Sequence, residues 1–126
     1  MHSRQPTRRT AVTLIACACL GLAAVVWTRS ARAQGQVREF GVTGNQFAFS
    51  PDRISVQRDD LVKITFTAHD MAHSLTIDEY RIAKRAGAGQ SVTFEFRADK
   101  PGTYTYYCNL TQDERCRNMK GTLTVR

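Results

Sequence analysis

From about residue 36 onward the chain is written in twos. Apolar and polar residues alternate in short runs, and no stretch carries the wider stripe of an amphipathic helix. "LVKITFTA" sets Val62, Ile64 and Phe66 against Lys63, Thr65 and Thr67, and "QSVTFEFRA" sets Val92, Phe94 and Phe96 against Thr93, Glu95 and Arg97. "GTYTYYC" puts Tyr104, Tyr106 and Cys108 on one face, and "KGTLTVR" pairs Leu123 with Val125. "QVREFGV", "NQFAFSP", "DRISVQ" and "HSLTID" are shorter runs of the same kind, with Phe47 beside Phe49, Ile54 beside Val56 and Leu75 beside Ile77. Side chains alternate across a strand, so each run has one face for a core and one for water. "SPD", "RDD", "AGAGQ" and "DKPG" punctuate the runs with turn residues, and "EYRIAKRAGAG" reads as a loop with a short strand. Strands at this spacing predict an all-β, Greek-key sandwich of two sheets and seven or eight strands.

The first third follows different rules. Basic "TRRT" precedes the uncharged apolar run Ala11 to Trp27, and "ARAQ" then places Ala31 and Ala33 where a signal peptidase needs small residues. Residues 1–33 therefore read as an export signal ending before Gln34, or as an uncleaved anchor whose membrane contact is residues 11–27. The domain itself is residues 34–126, exported or periplasmic. Arg8-Arg9 is a loose match to a twin-arginine signal. Charge divides along the same line. The chain has 18 basic and 11 acidic residues and a net charge of +7, but five of the arginines and no acid lie in residues 1–33. The remainder is near neutral, so the basic balance is a targeting property and implies no nucleic acid. Cys17 and Cys19 belong to the leader as well. The domain keeps Cys108 and Cys116, which in an exported protein suggest one disulfide or one metal site.

Both cysteines lie in "YYCNLTQDERCRNMKGTL", a polar loop between two strands, with Met119 three residues after Cys116. Cys108 shares the inward face of Tyr104 and Tyr106, and Tyr107 points the other way. Thiolates, a thioether and an imidazole are the donors a soft metal takes. "HDMAHSLTID" offers the imidazole, since His73 opens a strand-like run at the end of the sandwich. His69 and Met71 lie in the same loop, His69 as a solvated residue that could stand in for a second histidine. Asp113 and Glu114 read as a solvated turn. Arg115, Arg117 and Lys120 read as solvated charges or as a basic rim for an acidic partner. A Cys108–Cys116 disulfide would close the same loop and remove both thiolates. No serine–histidine–acid set, phosphate loop or HExxH is present, and the two cysteines lack the C-x-x-C spacing of a dithiol oxidoreductase. The chain reads as a non-enzyme.

Over nearly its full domain length the chain resembles the cupredoxins, above all the bacterial cupredoxin-like domains allied to cytochrome c oxidase subunit II. "FAFSPDRISVQRDDLVKITFTA", "HSLTI", "KPGTYTYYCN" and "MKGTLTV" carry the resemblance. It implies that His73, Cys108 and Met119 are copper ligands. The oxidase pattern C-x3-C-x3-H-x2-M, laid on this loop, places Gln112 at its second cysteine and Cys116 at its histidine. A dinuclear centre is therefore not expected, and the histidine-rich set of a blue copper site is incomplete. What the resemblance implies is one copper ion held by His73, Cys108, Cys116 and Met119. The second thiolate favours Cu(I). Expected roles are electron transfer in the cell envelope, with a redox or copper-donor protein as partner and a monomeric state. A Cu(I) carrier or sensor is the alternative, as is a metal-free sandwich that binds a partner with the disulfide closed.

Overall fold

A computed structural model describes residues 35–126. The expected leader, residues 1–33 with Cys17 and Cys19, lies outside the described residues. Among the described residues nine strands form two mixed sheets: β1 Val37–Asn45, β2 Ala48–Ser50, β3 Arg53–Val56, β4 Leu61–Ala68, β5 His73–Ile77, β6 Ile82–Ala86, β7 Ser91–Arg97, β8 Gly102–Tyr107 and β9 Lys120–Val125. A 3-10 turn, Asp78–Tyr80, follows β5, and a four-residue helix, α1 Glu114–Arg117, precedes β9. Among the described residues no helix is long and apolar enough to cross a membrane. One sheet has the order β2-β1-β4-β7 and the other β3-β9-β8-β5-β6. β1 runs parallel to β4 and β3 parallel to β9, so the chain crosses between the sheets rather than meandering through one.

The predicted alternation holds where the runs are longest. β4 buries Val62, Ile64, Phe66 and Ala68 and leaves the residues between them half-exposed. Phe94 and Phe96 of β7 face the same core, as do Ile54 and Val56 of β3 and Leu123 and Val125 of β9. Each such side chain contributes about 1.5–3 kcal/mol by leaving water. "NQFAFSP" departs from the expectation. Asn45 ends β1 and pairs with Ala48, so Gln46 and Phe47 are the two residues of a tight hairpin turn. Both have positive φ, 50° and 59°, which is how a two-residue loop matches the twist of its strands. Phe47 is thus a turn residue near the sandwich end, and only Phe49 is a core residue. The stretch after the 3-10 turn forms a full edge strand, β6, paired with β5 from His73 to Ile77. β5 lies between β6 and β8 and is buried at all five positions, its polar residues included.

The sandwich has two differently built ends. Where β4 begins, Asp60 is buried and accepts hydrogen bonds from the N–H groups of Gln36 and Gln57, with Arg38 Nε at 3.5 Å. At the other end of β4 lie the loop 69–72, His73 and the loop between β8 and β9.

Candidate metal centre

β8 and β9 are antiparallel neighbours whose last rung pairs Tyr107 with Lys120. Just past it the Cys108 N–H donates to the Met119 carbonyl at 3.2 Å, so residues 109–118 leave the sheet as a closed loop. The loop is folded by its own backbone. Asp113 caps α1, its carboxylate accepting from the Arg115 N–H at 2.9 Å and from the Arg115 guanidinium at 2.7 Å. Asp113 is therefore a helix cap, where a solvated turn was expected. The Cys116 N–H donates to Asp113 and the Met119 N–H to Cys116. That turn carries Cys116 back over the end of β8. Its sulfur is bonded to that of Cys108, with the Cα atoms 5.3 Å apart. Both cysteines are buried, as the phase of β8 predicts for Cys108. Tyr107 points away, and its hydroxyl donates to Asp78 at 2.9 Å.

His73 faces this loop from β5 and is fully buried. Its Nε2 lies 2.7 Å from Asp70 Oδ1. Its Nδ1 is buried without a hydrogen-bond partner. Buried polar atoms are rarely left unpaired, and an orphan of this kind calls for an explanation. Asp70 also accepts from the N–H groups of Gln46 and Met71, at 2.9 Å each. Burial pushes the Asp70 carboxyl up, but these hydrogen bonds outweigh it and bring the group down to about 2. The Phe47 ring stands edge-on to the imidazole, with centroids 5.6 Å apart. Met119 is fully buried. Gly44 of β1 makes room for both side chains: a Cβ there would lie 2.9 Å from Met119 Cε and 3.2 Å from His73 Cδ2. Ser74 ties β5 to the loop. Its hydroxyl donates to Asn109 Oδ1 at 2.6 Å, accepts the Asn109 N–H at 2.8 Å, and rests 3.7 Å from Cys108 Sγ.

The four expected ligands, His73, Cys108, Cys116 and Met119, thus lie at one end of the sandwich. The two cysteines stand there as a disulfide, the alternative that the residues left open. Among the described residues no group of three His, Cys, Asp or Glu side chains forms a metal-holding cluster. With the disulfide closed the soft donors are the His73 imidazole and the Met119 thioether, and two donors do not make a copper site. Opening the bond would add two thiolates to the orphaned Nδ1 and the thioether, and that set fits Cu(I). His69 is exposed and contributes its N–H to the Gly44 carbonyl, and Met71 is exposed beside it. Arg115 is not a free cation of the rim, because it pairs with Asp113 and stacks over the Phe47 ring at 4.2 Å. Arg117 and Lys120 line a cavity of about 540 Å³ with Tyr107, Cys108, Asn109 and Leu110. Asp70, Gly44 and Ser74 are contributors that the sequence reading passed over. Asp70, three residues before His73 in a loop already singled out, was the one within reach of it.

A family model for the cupredoxin-like domain matches residues 17–125. Among solved structures, the fold is similar to the periplasmic domain of subunit II of cytochrome oxidase from Bradyrhizobium japonicum. The TM-score is 0.62 at 15% identity, over 70% of this chain and 83% of that one. It is similar to auracyanin A, a blue copper protein of Chloroflexus aurantiacus, with a TM-score of 0.61 at 17% identity over 71% and 99% of the two chains. The metal-binding domain of a Cu(I)-exporting P-type ATPase of Streptococcus pneumoniae matches with a TM-score of 0.62 at 17% identity, over 74% and 89%.

Proposed function

The chain belongs to the family of cupredoxin-like domains, and from that premise we propose that it is a copper-binding protein of the cell envelope. In its dithiol form it holds one copper ion through His73, Cys108, Cys116 and Met119. The observation that carries this reading is the buried, unpartnered His73 Nδ1, on a histidine that shares the space over Gly44 with Met119. An imidazole lone pair kept dry and unused is what a metal ligand requires and what a structural histidine avoids. Bound copper would supply a one-electron couple. The protein's part is to bring four soft donors together from β5 and from the loop between β8 and β9, and to exclude water from them. Residues 1–33 export or anchor the domain, and Arg117 and Lys120 flank the approach of a redox or copper-donor partner.

The disulfide favours one role within this reading. Cysteines close enough to bond give up two electrons readily. Two Cu(II) ions meeting the dithiolate would leave as two Cu(I) while the sulfurs join, with electrons balanced. Repeated cycling through Cu(II) is hard to sustain beside such a pair, so Cu(I) carriage stands ahead of electron transfer. The test is a titration of the reduced and of the oxidised protein with Cu(I) against a chromophoric chelator, with Cu(II) absorption and paramagnetic resonance spectra alongside. One Cu(I) per reduced chain, with that binding lost after oxidation, is expected. A stable, intensely coloured Cu(II) form lost in Cys108→Ser would restore the electron-transfer role. No stoichiometric binding by the reduced chain would leave a disulfide-closed binding module.

A further inference from the structure

We propose that Asp70 is the positioning residue of this centre: its carboxylate holds the His73 proton on Nε2 and so keeps the buried Nδ1 as a bare lone pair. The role for copper rests on the reading above, whereas the tautomer does not. The geometry is a three-way clamp. One carboxylate accepts the His73 Nε2–H at 2.7 Å, the Gln46 N–H at 2.9 Å and the Met71 N–H at 2.9 Å. A carboxylate can only accept, so the nitrogen it faces must carry the hydrogen. The neutral ring then has its acceptor on Nδ1, and Nδ1 is the atom left buried without a donor.

The clamp also reaches the neighbouring turn. Gln46 and Phe47 hold positive φ without being glycine, a conformation that persists only where the surroundings enforce it. Asp70 enforces it by binding the Gln46 N–H. The turn in turn sets the Phe47 ring against the imidazole, with the Arg115 guanidinium 4.2 Å above that ring. One side chain thus fixes the proton, the ring plane and the wall of the site. Carboxylates that orient a ligand histidine are worth about 10–100-fold in metal affinity.

Nitrogen-15 spectra of histidine-labelled protein test this without copper, with His69→Gln used to assign the signals. In the oxidised protein as purified, His73 should show a single tautomer protonated on Nε2. Asp70→Asn, which keeps an acceptor oxygen, should preserve it. Asp70→Ala should populate the Nδ1–H form and lower the Cu(I) affinity of the reduced protein about 10–100-fold. A proton on Nδ1 in the wild type overturns the proposal. So does a folded Asp70→Ala protein with an unchanged tautomer. If Asp70→Ala does not fold, the wild-type spectrum still decides. An Nε2–H tautomer in a reduced protein that binds no copper would uphold the clamp and sink the copper reading instead.

Discussion

At the scale of single residues the centre is a matter of space and of lone pairs. Gly44 shows the first. It is a strand residue of ordinary backbone, and what it supplies is room, because a methyl group would press on Met119 Cε and His73 Cδ2 together. The methionine end is flexible and can give way, so Gly44→Ala should cost only about 1–2 kcal/mol of stability. It should weaken Cu(I) binding by the reduced protein by more than that stability loss, because both displaced groups are candidate donors. Parallel thermal melts and chelator competition check this, and equal affinity in the variant would remove Gly44 from the site. The second is His73. Its identity was legible, since a histidine opening a strand beside a cysteine loop is a visible signal. Its lone pair was not. Which nitrogen is free depends on Asp70 and on burial, and neither follows from residue spacing.

At the scale of elements the loop between β8 and β9 governs the chemistry. Its capping aspartate and single helical turn bring Cys116 to Cys108 across a separation of eight residues. Closing a loop of this length stabilises the fold by about 2.5 kcal/mol through the unfolded chain. For a domain of this size that is roughly 10–20 °C in melting temperature. The metal-free protein should melt lower by that order when treated with reductant, and Cu(I) should restore much of the loss. A melting temperature indifferent to reductant would mean that the bond contributes nothing to the fold. The same scale shows where pattern reading stops. The runs of β4 and β7 declared their faces, whereas "NQFAFSP" reads as one strand by alternation and is a hairpin turn by hydrogen bonding. The tight turn needs positive φ at two residues that do not advertise it, and the Asp70 carboxylate that supports it is 24 residues from Gln46 in the chain.

At the scale of the whole molecule the sandwich separates a structural end from a chemical one. Asp60 anchors the structural end. Burial raises its carboxyl, but the Gln57 and Gln36 N–H groups and Arg38 outweigh it and hold it below its ordinary 3.8. A carboxyl depressed by folding contributes stability above its unfolded value and loses it as pH falls through the folded one. Melting temperature should therefore drop as pH is lowered below about 4. Asp60→Asn should be about 2–3 kcal/mol less stable at neutral pH, with a flatter acid limb. An unchanged acid limb would assign the loss to other carboxylates. Export belongs to this scale too: if residues 1–33 are a cleaved signal, protein recovered from the envelope begins at Gln34, and a retained Met1 would make them an anchor. What the sequence determined by itself was the two-sheet architecture and the inward faces of the long strands, while the grouping of His73, Cys108, Cys116 and Met119 came from the family resemblance. The architecture and the strand faces are periodic, and the chain carries them in its spacing. Only the tertiary structure decided that the two sulfurs are joined, that Asp70 grips His73 and that Gly44 leaves room beside Met119. Each of these depends on distances between elements far apart in the chain, and such distances are set by how the sheets and loops pack.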